Sequence, residues 1–350
     1  MKTVYFHIGQ TKTATTTLQA FFFQNRNWLE ERDVFYPPVP EENPLKMQHR
    51  FLLTSIVERK GDYSIAQRYW DDLNSQINAA DRPKVLISEE TFWHLFEQDL
   101  PRRSEAIHWI GQQFKDYDVR IICYLRRQDR WIESWYNQIV KTDVNRASKL
   151  SILDFVNRYN EFGLLDYHAV LNDWTAEFGK DKIVVRPFEP GRFLNGDIVQ
   201  DFCNVLGITD MAGATYPDDQ QVSLTNYACE FSSIYNRASR AANYKQQMVK
   251  ILSEFSGDKS DRRRYLPANI ARELLERYSP SNRLVAERFL GPGNELFMDL
   301  AVHDAAQDYP GISANELSRI VIEIFIEQQS QIRQLQRRLR EIEPRSEDQV

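Results

Sequence analysis

A lysine set among hydroxyl groups, between an apolar strand and a helix, is a place to hold an anion. The run His7-Ile8-Gly9-Gln10-Thr11-Lys12-Thr13-Ala14-Thr15-Thr16-Thr17 has that composition. A helix start presents backbone N–H groups that lack intrahelical acceptors and the positive end of the helix dipole, and both attract phosphate-like groups. The Lys12 ammonium and the hydroxyls of Thr13, Thr15, Thr16 and Thr17 add donors to the same loop. It is not a Walker A loop, which needs G-x-x-x-x-G-K-[ST], because Thr11 and not glycine stands directly before Lys12. The plainer reading of the same residues is a threonine-rich helix start carrying a solvated lysine.

A second group of residues could move a proton. Leu86-Ile87-Ser88-Glu89-Glu90-Thr91 ends an apolar run in two carboxylates. Neighbouring residues at a strand end point to opposite faces, so one of the two enters a cleft, and a carboxylate there can take the proton of an attacking hydroxyl. Glu89 is the first choice and Glu90 the second. His7 is the rival base, or else a core histidine whose bonds are satisfied. The plain reading has Glu90 capping a helix that starts near Thr91 and Glu89 paired with Arg126. His49 reads as a surface residue in a polar stretch. Trp93 is the best platform for stacking an acceptor, while Trp131 and Trp135, four apart on a helix, read as core. No His-x-x-x-His and no clustered carboxylate–histidine set appears in the chain, so no metal site is expected.

Lys12-Thr13-Ala14-Thr15-Thr16 resembles the 5'-phosphosulfate-binding loop of sulfotransferases, whose core reads Lys-[Thr/Ser]-Gly-Thr-Thr. Ala14 replaces the glycine, a mild change if the backbone there is helical and a costly one if φ is positive. Thr17 stands where cytosolic members of that family carry a tryptophan. The resemblance continues in Tyr124-Leu125-Arg126-Arg127-Gln128-Asp129-Arg130-Trp131-Ile132-Glu133-Ser134-Trp135-Tyr136. The family's 3'-phosphate site is an arginine at a strand end and a serine eight positions later, and Arg126 and Ser134 stand at that separation. A guanidinium fork and a hydroxyl one turn into a helix suit a phosphate, whereas a basic strand end beside a solvated helix accounts for Arg127 and Arg130. Val185–Glu189 and Ser281–Ala286 look like a bacterial branch of the family that is often associated with carbohydrate acceptors.

What the resemblance implies is an enzyme using 3'-phosphoadenosine 5'-phosphosulfate (PAPS) as co-substrate. It transfers the sulfuryl group in line to a hydroxyl or amine acceptor. Gly9, Lys12, Thr13, Ala14, Thr15, Thr16 and Thr17 would cradle the phosphosulfate, with Arg126 and Ser134 on the 3'-phosphate. Lys12 would stabilise the departing phosphate. Cytosolic members carry a catalytic histidine where Glu89 stands, and other branches use a glutamate. Two other readings remain open. A P-loop-type phosphotransferase finds its magnesium-holding hydroxyl in Thr13 but lacks the usual strand-end aspartate. A non-catalytic module would bind nucleotide or glycan without turnover.

These residues need positioning elements. Val4–Ile8, Val85–Ser88, Val119–Leu125 and Ile183–Arg186 are short and mostly apolar, and each reads as a buried strand. Between them run helical stretches, including Thr15–Glu31, Arg130–Thr142 and Asp166–Phe178. The pattern is α/β, a P-loop-like three-layer fold with a mainly parallel sheet flanked by helices and a helical C-terminal region. We read one domain over 1–312, with helical additions after about 220, and an amphipathic segment over 313–350. In the latter, Val321, Phe325, Gln328, Ile332, Leu335, Leu339 and Ile342 fit a and d positions, which suits either a helix packed on its own domain or a short coiled coil that could join two copies. A net charge of −6 disfavours a general nucleic-acid binder, and three scattered cysteines fit a reducing compartment. With no leader pattern and no apolar run near ~20 residues, the expected place of action is the cytoplasm, on a carbohydrate or polysaccharide precursor.

Overall fold

The computed structural model describes residues 1–40, 46–57, 63–142, 147–218, 223–238, 245–254 and 263–342. The chain has an α/β fold whose centre is a five-stranded parallel sheet flanked by helices. Its strands are β1 (Thr3–His7), β2 (Val34–Phe35), β3 (Lys84–Ser88), β4 (Asp118–Leu125) and β5 (Ile183–Pro187), in the order β2-β3-β1-β4-β5. The helices used below are α1 (Thr15–Gln24), α2 (Arg26–Glu30), α3 (Arg50–Val57), α4 (Ser64–Ala79), α5 (Leu100–Gln113), α6 (Gln128–Thr142), α7 (Ile152–Glu161), α8 (Tyr167–Phe178), α9 (Ile198–Val205), α10 (Asn226–Arg237), α11 (Lys245–Glu254), α12 (Ala268–Val285) and α13 (Ala314–Ile342). All four strands expected from the apolar runs are present. β2 has two residues, too few for any period to register, and is held by pairing Val34 with Lys84.

β1 is central because both its faces are buried. Phe6 meets Trp70 of α4, Phe92, Phe114 and Trp174 of α8 edge-on, at centroid distances of 4.8–6.4 Å. On the opposite face Leu18, Phe21 and Phe22 of α1 pack with Tyr124 and with Val199, Phe202 and Cys203 of α9. The register runs Thr3↔Lys84 to His7↔Ser88 on one side and Thr3↔Asp118 to His7↔Ile122 on the other, so the carboxyl ends of β3, β1 and β4 lie side by side. In open parallel sheets that edge is where ligands bind.

One expected helix breaks in two. Thr15–Glu31 is interrupted at Asn25, whose side-chain amide donates to Phe21 O and to Thr215 O, each at 2.8 Å, while its oxygen accepts from Thr215 N at 2.8 Å. A side chain that competes for backbone partners in this way ends the helical run. α8 starts one residue later than read, because Asp166 is its cap and accepts from Ala169 N.

The described residues divide into two compact units. The first holds the sheet, with Met1–Ile132, Val156–Gln221 and Ala271–Val302; the second is helical, with Glu133–Phe155, Val222–Ile270 and His303–Val350. Inside the second unit Lys245 is buried and donates to Val140 O, to Ser232 Oγ at 3.0 Å and to Asn236 Oδ1 at 2.6 Å. Glu133 pairs with Arg264 and accepts from Tyr265 N at 2.7 Å. α13 groups with this unit. Much of the polar stretch 256–265 and the tail after residue 342 lie outside the described residues. Among the described residues no helix is long and apolar enough to cross a membrane.

Candidate active site

The loop between β1 and α1 is held by its neighbours at nearly every residue. Ile8 N donates to Ile122 O (3.0 Å), Gln10 N to Tyr124 O (3.3 Å) and Trp93 N to Ile8 O (3.1 Å), so the strand pairing continues past the end of β1. Gln10 is fully buried and joins the loop to the end of β4. Its Oε1 accepts from Arg126 N at 2.9 Å and its Nε2 donates to Tyr167 OH at 3.0 Å, while that hydroxyl donates to Arg126 O at 2.6 Å. Trp131 Nε1 donates to Thr11 O at 3.0 Å. Gly9 has φ +93°, and a Cβ there would lie 2.4 Å from Glu90 O, so the loops after β1 and β3 can touch only because this residue is glycine.

Further along, the loop takes two left-handed residues, Lys12 (φ 66°) and Ala14 (φ 59°), before α1 begins. Ala14 is the N-cap, and no side chain caps the helix. This differs from α5, α8 and α9, whose caps Asp99, Asp166 and Asp197 accept from first-turn N–H groups. Those three carboxylate caps have no counterpart at α1, nor at α4 (N-cap Tyr63) or α10 (N-cap Thr225), and the first turn of α1 carries Thr15, Thr16 and Thr17. Thr13 is buried and its hydroxyl donates to Gln10 O at 2.5 Å, so it braces the loop from inside. Arg126 lies against the loop, with Nη1 donating to Lys12 O at 3.0 Å and the guanidinium 5.8 Å from the Phe188 ring centroid. Two cations, Lys12 and Arg126, thus border an uncapped helix start at the carboxyl edge of the sheet.

The proton-handling candidates sit behind that loop. Glu89 is fully buried, caps the short turn Glu90–His94, and accepts at Oε1 from Thr91 N (3.0 Å) and from the Thr91 hydroxyl. Its cation is Arg50 Nε at 3.8 Å, not Arg126, and its Oε2 is buried with no hydrogen-bond partner among the described residues. Burial first, then the Glu90 charge, push the carboxyl up to about 8, against the opposing pull of Arg50 and Thr91. Glu90 turns instead to α1, where its Oε2 accepts from Gln19 Nε2 at 2.6 Å. The expected helix cap is therefore Glu89 and not Glu90, and the two carboxylates face different partners.

His7 ends β1 with Nδ1 2.8 Å from Ser88 Oγ, its ring edge-on to Phe202, and Nε2 buried without a partner among the described residues. Burial alone lowers its pKa to about 3, so the ring is neutral. The Glu89 amide donates to His7 O at 3.0 Å, which ties the two candidates together. Ser134 falls in the second unit, half-buried on α6.

No family model matches the chain. It is 27% identical over 217 residues to an uncharacterized protein of Archaeoglobus fulgidus, an alignment that covers 61% of the chain. The chain spans 56% of that relative's length. Among solved structures it is similar to a sulfotransferase from Alicyclobacillus acidocaldarius, with a TM-score of 0.42, 17% identity, and coverage of 82% of this chain and 95% of that one. A similarity of that size speaks to neither substrate nor mechanism.

Several residues hold places other than those the sequence suggests. Trp93 is fully buried, edge-on to Tyr167 at 5.6 Å, and offers no surface to an acceptor. His49 is buried rather than exposed. Its Nδ1 accepts from Ser88 N (3.2 Å), Nε2 lies 3.2 Å from Pro37 O, and burial lowers its pKa to about 4. Trp131 is core, as its spacing suggests, and Trp135 is half-buried. Arg127 is buried in a two-pronged pair with Asp129 (both 2.7 Å), and also donates to Ala301 O. Segments that carried the resemblance act as stitching. Arg186 pairs with Asp201, Glu189 accepts from Met298 N and Asp299 N, and Asn282 exchanges amide bonds with Gln128.

Sequence reasoning missed His94. Its Nε2 lies 3.1 Å from Thr11 Oγ1 and its Nδ1 2.9 Å from Glu97 Oε2, with the ring stacked on Trp131 at 6.0 Å. The result is a hydroxyl–imidazole–carboxylate chain ending on the loop. The only sequence signal is the spacing His94-x-x-Glu97 just past the third apolar run, which is too common to single out.

Proposed function

We propose that the chain binds PAPS and transfers its sulfuryl group to a hydroxyl or amine acceptor. The observation that carries this reading is the junction of Arg126 with the β1–α1 loop. The arginine at the end of β4 is bonded through its own backbone to Gln10 and through its side chain to Lys12 O, beside a helix start without a carboxylate cap. In this reading the loop from Gly9 to Thr17 holds the phosphosulfate and Lys12 offsets the charge that builds on the departing phosphate. Arg126 binds the 3'-phosphate.

The sulfur–oxygen bond to the nucleotide breaks as the acceptor oxygen or nitrogen attacks from the opposite side, and the acceptor's proton passes to a base. We assign that task to Glu89, whose carboxyl, poised near 8, both accepts and releases a proton around neutrality, although it is as fully buried as Trp93. Glu90 and His7 are the other candidates; His7 is neutral and has one ring nitrogen without a partner among the described residues. The acceptor class we propose is a carbohydrate or polysaccharide precursor, and the compartment the cytoplasm.

Calorimetric titration with 3'-phosphoadenosine 5'-phosphate tests the donor site. The expected result is metal-independent binding, weaker binding of ADP, and binding weakened by roughly ten- to a hundred-fold in Arg126→Ala. Preference for magnesium–ATP over the bisphosphate would overturn the reading in favour of phosphoryl transfer. Binding without turnover on a panel of hydroxyl acceptors would leave a nucleotide-binding module.

A further inference from the structure

α13 is 29 residues long, about 44 Å at 1.5 Å per residue, and its two long faces differ. Ile320 is fully buried and Ile324, Glu327 and Gln331 are partly buried, on the side that packs against α10 and α11 of the same unit. A quarter-turn away runs a seam of Val321, Phe325, Gln328, Ile332, Leu335 and Leu339. Its apolar members are 46–61% exposed, and Ile322, at the flanking e position, widens it. The spacing along that seam is four, three, four, three, four, the a/d alternation of a coiled coil.

We propose that this seam pairs with the same seam of a second copy, antiparallel. Charge favours that direction. The half from 314 to 328 carries Glu316, Glu323 and Glu327 against Arg319, a net of −2, with Glu316 also paired to Arg263 of its own unit at 3.2 Å. The half from 331 to 342 carries Arg333, Arg337, Arg338 and Arg340 against Glu341, a net of +3. A parallel pair lays the basic half along the basic half, whereas an antiparallel pair lays each basic half along an acidic one. The preference is a weak, screened one, because of these charges only Arg338 flanks the seam and the rest lie on the outer faces of the helix. The helix dipoles oppose in the same arrangement.

The register follows from the seam itself. Pairing about Ser330 puts Val321 opposite Leu339, Phe325 opposite Leu335 and Gln328 opposite Ile332, so every layer joins an a to a d. Covering the exposed seam and its flank removes roughly 600–700 Å² per helix, on the order of 1,200–1,400 Å² in total, which reaches the lower bound for a specific interface. Gln328 at a d position limits the affinity and fixes the register.

The test is sedimentation of the full chain from about 1 to 100 µM. A concentration-dependent dimer is expected. Phe325→Glu with Leu335→Glu should give a monomer with an unchanged circular dichroism spectrum, since both side chains are exposed. Orientation is read by oxidation. Val321→Cys mixed with Leu339→Cys should cross-link, and Leu339→Cys alone should not; the native cysteines are buried and stay silent. A wild type that stays monomeric throughout, including one that binds anionic vesicles as a monomer, overturns the proposal. So does a dimer that survives the double glutamate variant, or one in which Leu339→Cys links to itself.

Discussion

Two parts of the candidate site are built on opposite terms. The anion side, from Gly9 to Thr17 with Arg126, is a backbone held rigidly by Gln10, Thr13, Trp131 and Tyr167, with its cations at the rim. The proton side, Glu89 and His7, is made of titratable side chains sunk in the sheet edge, each with one buried atom that has no partner among the described residues. Leaving such atoms unpaired costs about 1–3 kcal/mol each. Unpartnered buried atoms among the described residues also lie away from the site, on Trp70, Asn74 and Gln76, so the contrast becomes a catalytic one only through the variants that follow.

The strongest attack on the contrast is Glu89→Gln. If Glu89 is the base, kcat falls by roughly 10²–10⁴ while bisphosphate affinity is retained. The pH profile also discriminates. In the wild type, activity should rise through pH about 8 as the carboxyl ionises, and that limb should vanish in the variant. Turnover unchanged in Glu89→Gln but lost in His7→Asn would move the base to the histidine.

Arg126→Ala strikes the other side. Charge-assisted hydrogen bonds contribute about 1.5–3 kcal/mol, so bisphosphate binding should weaken by roughly ten- to a hundred-fold. Arg126→Lys keeps the charge and loses the fork, and should recover only part of the affinity. Full recovery with lysine would reduce Arg126 to a diffuse positive field.

Stability against pH sharpens the comparison further, because buried titratable groups leave a signature that a rigid loop does not. Glu89 has a folded pKa raised above its unfolded value, so its contribution is intact below about 4.5 and is lost as pH rises towards about 8. Glu89→Gln should therefore flatten the decline of Tm over that window. His7 and His49 have folded pKa values lowered to about 3 and about 4, so below about 6.5 the unfolded chain takes up protons that the folded chain refuses. Tm should fall as pH drops from 6.5 towards 4, and less steeply in His49→Gln.

How much of this was legible in the sequence follows the same divide. The strands and the parallel sheet announce themselves because they depend on local periodicity, and the loop after β1 stands out as a short motif whose role the variants above test. Arg126 was legible because it follows an apolar strand directly. The ring of supports was not, because Gln10 reaches Tyr167 across 157 positions and no local pattern marks a long-range partner. The same reason hid the burial of His49 and Trp93, which sit in polar or helical surroundings in sequence and under other elements in space. Asn25, which breaks the first helix, acts through Thr215 and left no local trace beyond being an asparagine.

Ala14 is the point where the two sides can be told apart most gently. Its φ of 59° is a conformation that costs an L-residue about 1–2 kcal/mol and costs glycine little. Ala14→Gly should therefore stabilise the fold by roughly 1 kcal/mol or less, after the extra freedom of glycine in the unfolded chain is offset, and raise Tm by a few degrees at most. If the strain is only a residue of history, turnover stays as it was. If the loop needs a stiff left-handed corner to aim its N–H groups at the transferring group, the more stable variant should bind the bisphosphate normally and turn over several-fold more slowly. A variant that is less stable would mean that position 14 leaves the left-handed region in solution, and the loop would then not have the shape on which the anion side depends.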